Sequence, residues 1–118
     1  MISLQLAWPP RELHPNSRCH FMVKARKAKN ARTVAAWTAR EAGIRPNDPD
    51  IPAALKVTAV FSPPDNRRRD VDGMLSSIKS YLDGISDVIG IDDSKWDIAL
   101  RREAATKGGS VRIELEAA

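Results

Sequence analysis

The stretch from Asp70 to Asp83 constrains the fold of this chain most strongly. Val71, Met74, Leu75, Ile78 and Leu82 recur at spacings of three and four, which predicts a helix over 70–83 with one apolar face. Gly84 follows as the expected C-terminal cap. An apolar stripe has to be covered by another packed layer, and alternating segments elsewhere can supply one.

Four segments alternate apolar and polar residues: Ile2, Leu4, Leu6 and Trp8; Leu55, Val57, Ala59 and Phe61; Trp96, Ile98 and Leu100; Val111, Ile113 and Leu115. Each reads as a half-buried strand. Thr106-Lys107-Gly108-Gly109-Ser110 predicts a hairpin-like turn between the last two. Pro9-Pro10 ends the first strand, because proline cannot donate to a ladder. Residues 9–20 read as a loop with a turn at Pro15-Asn16.

Residues 21–43, rich in Ala, Lys and Arg, predict a second helix ending at Gly43. Ala31, Val34, Ala35 and Thr38 form its expected inner face, with Trp37 at the edge. The three tryptophans fall on patterned apolar positions, which favours core packing over base stacking. Residues 44–52 hold Pro46, Pro49 and Pro52 and read as a loop, while Ile85 to Ile91 is apolar and ambiguous. The order strand, helix, strand, helix, strand, strand predicts an α/β domain. Its small mixed sheet of about four strands would carry two main helices.

At 118 residues the chain has room for one domain, 1–118, with a modest core. A core of that size gains stability from self-association, so a homodimer is expected. No stretch approaches the roughly 20 apolar residues of a membrane span, and Met1-Ile2-Ser3-Leu4-Gln5 lacks a signal core. The lone cysteine, Cys19, can form neither an internal disulfide nor a thiolate zinc site by itself. A reducing cytoplasm is the expected compartment.

The net charge of +4 is modest, but it is unevenly distributed. Arg18, Lys24, Arg26, Lys27, Lys29, Arg32 and Arg40 lie in a segment without acids, and Arg67-Arg68-Arg69 forms a second block. Clustered cations at a pI near 9.6 are the footprint of a nucleic-acid binder. A solvated surface is the alternative.

Asp70-Val71-Asp72 stands where the second block enters the helix, with Val71 expected to point into the core. Two nearby carboxylates suit a hard cation such as Mg²⁺, which takes one or two of them plus substrate phosphate. Helix capping by one aspartate is the competing explanation. Asp92-Asp93 is a second acidic pair; if the chain folds back, it completes a three-carboxylate site for phosphodiester hydrolysis. Otherwise it is an ordinary turn. Arginines ahead of the carboxylates can hold phosphates against the metal. Lys79 and Ser76 lie seven and four residues after Asp72, so all three fall on one face of the helix. A lysine there can stabilise charge on the scissile phosphate, or it is simply exposed. His14 and His20 have no metal-ligand spacing and read as loop residues able to touch DNA. D-x-D could also mark a glycosyltransferase, but the chain is too short for its usual subdomains.

Pro63-Pro64-Asp65-Asn66-Arg67-Arg68-Arg69-Asp70-Val71-Asp72 resembles the signature of the RusA Holliday junction resolvases. The strand into Trp8-Pro9-Pro10 with Pro15-Asn16, the acidic turn Asp92-Asp93-Ser94, and Thr106-Lys107-Gly108-Gly109 resemble further family motifs, in family order. The resemblance implies a small α/β homodimer that binds four-way DNA junctions and makes paired, symmetric nicks with Mg²⁺, Mn²⁺ being a possible substitute. It implies Asp70, Asp72 and Asp93 as metal ligands, with Asp92 assisting. Arg67, Arg68, Arg69, Asn16, Arg18, Lys24 and Lys27 are the expected DNA contacts. Two positions depart from the pattern: Ser76 replaces the family lysine, leaving Lys79 to take its role, and Gly73 replaces an asparagine. A junction-binding module without catalysis is the alternative that Ser76 favours.

Overall fold

The computed structural model describes residues 1–46, 48–49 and 51–118. Asn47 and Asp50 of the proline-bearing loop lie outside the described residues. Each alternating segment forms a strand: β1 (Ile2–Ala7), β2 (Leu55–Ser62), β3 (Asp97–Arg102) and β4 (Ser110–Ala117). The helices are α1 (Phe21–Glu41), α2 (Val71–Ser77) and α3 (Lys79–Ile89). They join the strands in a mixed α/β fold, as expected. Among the described residues, no helix is long and apolar enough to cross a membrane.

The four strands form one sheet in the order β1-β4-β2-β3. β4 runs antiparallel to both neighbours, and β2 pairs parallel with β3. The expected β3–β4 hairpin is therefore absent, because β2 lies between them. The reason is burial: β2 is buried along almost its whole length, so it takes a central place, and β3, mostly exposed, takes the edge. A parallel pair needs a long crossover, which α2 and α3 provide. Gly108 and Gly109, at φ +80° and +67°, instead turn the chain across the end of β2. There the Glu103 N–H donates to the Phe61 carbonyl (2.9 Å) and the Thr106 N–H to that of Pro63 (2.8 Å).

Register brings Leu4, Ile113 and Ala59 into one row and Leu6, Val111 and Phe61 into the next. These rows share a single core with the helices. The other face carries ion pairs of Arg112 with Glu103 (2.9 Å) and Glu114 (3.0 Å).

The long amphipathic stretch is broken in two. Ile78, at φ −104° and ψ 10°, separates α2 from α3. Just before it, the buried Ser77 hydroxyl donates to the Gly73 carbonyl at 2.8 Å, a back-bond of the kind that bends helices. Gly84 is not the cap. The helix runs on through the ambiguous apolar segment to Ile89, and Gly90, at φ +82°, ends it. Val71 is exposed rather than directed into the core.

In α1 the buried residues are Ala31, Ala35, Ala36 and Ala39. Val34 and Trp37 face outward, Trp37 being 59% exposed, with the Arg40 guanidinium 5.3 Å over its ring. The core thus holds Trp96 and the contact of Trp8 with Phe61, but not Trp37. Gly43 does end α1: the Ile44 N–H bonds back to Ala39 (3.1 Å) and that of Gly43 to Arg40 (2.9 Å).

Arg32 of α1 and Asp87 of α3 meet in a two-pronged ion pair, at 2.6 and 2.7 Å. The Arg32 hydrogen bond holds the Asp87 carboxyl below its ordinary value of 3.8. A depressed carboxyl stabilises the fold above its unfolded value, and the contribution is lost as pH falls through the folded value. The Asp87→Asn variant is expected to melt slightly lower at neutral pH. Its stability should also fall less steeply than wild type below pH 3.8, read by thermal denaturation across an acid series.

Candidate functional site

Asp70 occupies the N-cap position of α2, yet its side chain makes no capping hydrogen bond and is 74% exposed. Its nearest cation is Arg68, 3.9 Å away. Asp72, in the first turn of the helix, accepts from the neighbouring Gly73 N–H at 3.0 Å. Asp70 is not spent on capping the helix, so the capping explanation does not account for it, whereas Asp72 satisfies a first-turn N–H.

The arginine block divides. Arg68, 95% exposed, and Arg67 both extend into solvent. Arg69 folds inward: its Nη2 lies 2.9 Å from Asp65, and its guanidinium sits 5.4 Å over the Trp8 ring. The Arg67 backbone N–H first, and then Arg69, hold the Asp65 carboxyl below its ordinary value. Asp65 thereby shapes the loop that delivers Arg67, Arg68 and Asp70.

The acidic turn lies on the far side of the helix break. Asp93, only 16% exposed, is ion-paired with the Lys79 ammonium, which also bonds Asp83 at 2.8 Å. Asp83, and after it Asp93, raise the Lys79 ammonium above its ordinary range. Asp92 accepts from the Ser94 hydroxyl at 2.5 Å, the leading reason its carboxyl is lowered. The fold therefore joins Lys79 to Asp93, two expected site residues 14 residues apart. Among the described residues, no three of His, Cys, Asp and Glu stand where one metal ion could be held. Asp72 and Lys79 sit on separate helices, so seven-residue spacing no longer puts them on one face. Ser76 and Lys79 still line a common groove, which Lys24 of α1 joins.

The donor chemistry at Asp70 and Asp72 fits a hard divalent cation: two exposed carboxylates, with room left for water and phosphate oxygens. Of the remaining expected DNA contacts, Asn16 and Arg18 are exposed before α1, and Lys24 and Lys27 are half-buried on it. Pro15-Asn16 does form a turn, closed by the Ser17 N–H donating to the His14 carbonyl at 3.0 Å.

His14 is the residue that sequence reasoning undervalued. It lines a cavity of about 230 Å³ together with Asp70, Arg69 and Trp8. Its Nε2 comes so close to Gly73 that a Cβ built there would lie 2.8 Å away. The available signal was the glycine itself, since a glycine inside an amphipathic helix often marks a close approach.

No protein-family model matches the chain. A protein of Xylella fastidiosa (strain Temecula1 / ATCC 700964), described as an uncharacterized protein, is 38% identical to it over 96 residues. The match covers 81% of this chain and 63% of the relative, so the chain spans less than two thirds of the relative's length.

Proposed function

We propose that this chain is a Mg²⁺-dependent endodeoxyribonuclease that resolves four-way DNA junctions by paired nicks, as a RusA-type homodimer. The observation that carries the reading is the pair Asp70 and Asp72: two exposed carboxylates at the head of α2, Asp70 making no capping bond, following directly on the solvent-extended Arg67 and Arg68. Asp70 and Asp72 would hold the ion; the resemblance adds Asp93, with Asp92 adjacent, as a third acidic ligand, which would have to move from its ion pair with Lys79 to reach them. When bound, such an ion polarises a phosphate and lowers the pKa of water. Arg67 and Arg68 would hold the backbone on either side of the scissile phosphate. Lys79, kept charged by Asp83 and Asp93, would offer a fixed cation to the developing charge. A two-fold dimer suits the two equivalent strands of a junction.

The test is cleavage of a synthetic four-way junction against a linear duplex of the same sequence, with Mg²⁺, with Mn²⁺ and with chelator. Metal-dependent paired nicks confined to the junction are expected. Tight junction binding without cleavage would replace the enzyme by a structure-specific binding module, the second reading, which Ser76 at the family's lysine position favours.

Salt dependence separates the arginines. Each phosphate contact contributes roughly one power of salt to the affinity. Arg67→Ala and Arg68→Ala are each expected to flatten the log–log slope by about 1. Arg69→Ala is expected to lower the melting temperature more than the slope, because Arg69 packs on Trp8 and Asp65. Fluorescence anisotropy across a salt series, paired with thermal melts, distinguishes the two effects.

A further inference from the structure

We propose that the cavity beside Asp70 takes the unstacked base of one nucleotide next to the cleaved phosphate, an inference that rests on the nuclease reading above. Trp8, Pro10 and Met74 give it apolar walls, and His14 and Arg69 give it polar edges. At about 230 Å³ it is smaller than the roughly 300–1,000 Å³ that drug-sized ligands occupy. It has room for a single ring system rather than a stretch of strand. Apolar walls with a few fixed polar groups are what a flat heteroaromatic ring requires.

The polar groups are preset. His14 Nδ1 accepts the Asn16 N–H at 3.1 Å. In a neutral ring the proton then sits on Nε2, which gives a cavity-lining residue a hydrogen-bond donor. It can stand there only because residue 73 has no side chain. Arg69, which also lines the cavity, is held by Asp65 and lies over the Trp8 ring, so it is fixed as well. Asp70 lines the same cavity, so a base seated in it brings its own phosphate toward Asp70. Taking a base out of a stack costs least where pairing is already interrupted, as it is at a branch point. The cavity would therefore add to the preference for branched over linear DNA.

The chain has three methionines, Met1, Met22 and Met74, so methyl-labelled methionine gives three NMR signals. Met74 lines the cavity, while Met1 and Met22 are exposed elsewhere. The full chain is titrated with dAMP, dCMP, dGMP and TMP at millimolar concentration, with ribose 5-phosphate and inorganic phosphate as controls. A saturable shift of Met74 by at least one mononucleotide is expected, with neither control moving it. His14→Gln and Gly73→Ala should each weaken that binding about tenfold. A melt for each variant shows that it is folded, and His14→Gln decides the matter if Gly73→Ala is not. An unmoved Met74, an equal response to inorganic phosphate, or full affinity in a folded His14→Gln would overturn the proposal. The probes are free mononucleotides. A chain that fails to cut junctions can therefore still pass this test, and one that cuts them can fail it.

Discussion

Asp72→Asn is expected to abolish junction cleavage while leaving the fold and the binding of the junction intact. Loss of one carboxylate from a two-aspartate metal site removes several kcal/mol of charge stabilisation in the transition state. That corresponds to a rate loss on the order of a thousandfold. Binding should hold or tighten, because one negative charge facing the phosphates is gone. Asp70→Asn should behave in the same way. Its melting temperature is the informative control, since Asp70 makes no side-chain cap to lose. Rates under single-turnover conditions, junction affinity in chelator and a thermal melt together decide the outcome. A variant that binds poorly, or melts several degrees lower, would assign the aspartates to structure. One that still cuts at near wild-type rate would remove them from the site.

The second large effect lies in the core. Gly84→Ala should destabilise the protein, although alanine is the better helix former by about 1 kcal/mol. A Cβ at residue 84 would lie 2.2 Å from the Arg32 carbonyl oxygen and 3.0 Å from the Ala35 Cβ. The first neighbour is backbone and cannot turn away, so α1 and α3 must separate. Overpacking of this kind costs about 1–3 kcal/mol and at times more, which outweighs the gain in propensity. A net loss near 2 kcal/mol lowers the melting temperature by roughly 8 °C in a domain of this size. Calorimetry on the purified variant reads it directly. An unchanged or raised melting temperature would mean that the two helices do not approach so closely.

The same contact shows where sequence reading stopped. Gly84 fitted a cap because the local pattern before it was helical and a glycine followed. Whether a glycine ends a helix or admits a neighbour depends on what lies across from it, here the small face Ala31, Ala35 and Ala36. Trp37 and Val34 were misassigned for a related reason. An Ala-rich helix has a weak apolar period, and the residues that pack closest are the small ones. The hairpin expectation failed because turn composition reports that a chain turns, not which strand it joins next.

The candidate site was legible in part. Asp70, Asp72, Asp93 and Lys79 could be singled out by residue type and order. That Lys79 would meet Asp93 across 14 residues depends on the return of the chain after α3, which no local pattern encodes. The sequence reads His14 as a loop residue able to touch DNA, but its place at the cavity beside Asp70 is set by the absence of a side chain on another element.

By itself, then, the sequence determined the elements and the chemistry available to them. Alternation and three-four spacing are properties of neighbouring residues, and so are the cations and carboxylates at 67–72. The tertiary structure decided strand order, the break at Ile78 and the company each charged group keeps. Those depend on which surfaces bury best against one another. They left Asp70 without a capping bond at the head of α2 and placed Asp93 against Lys79.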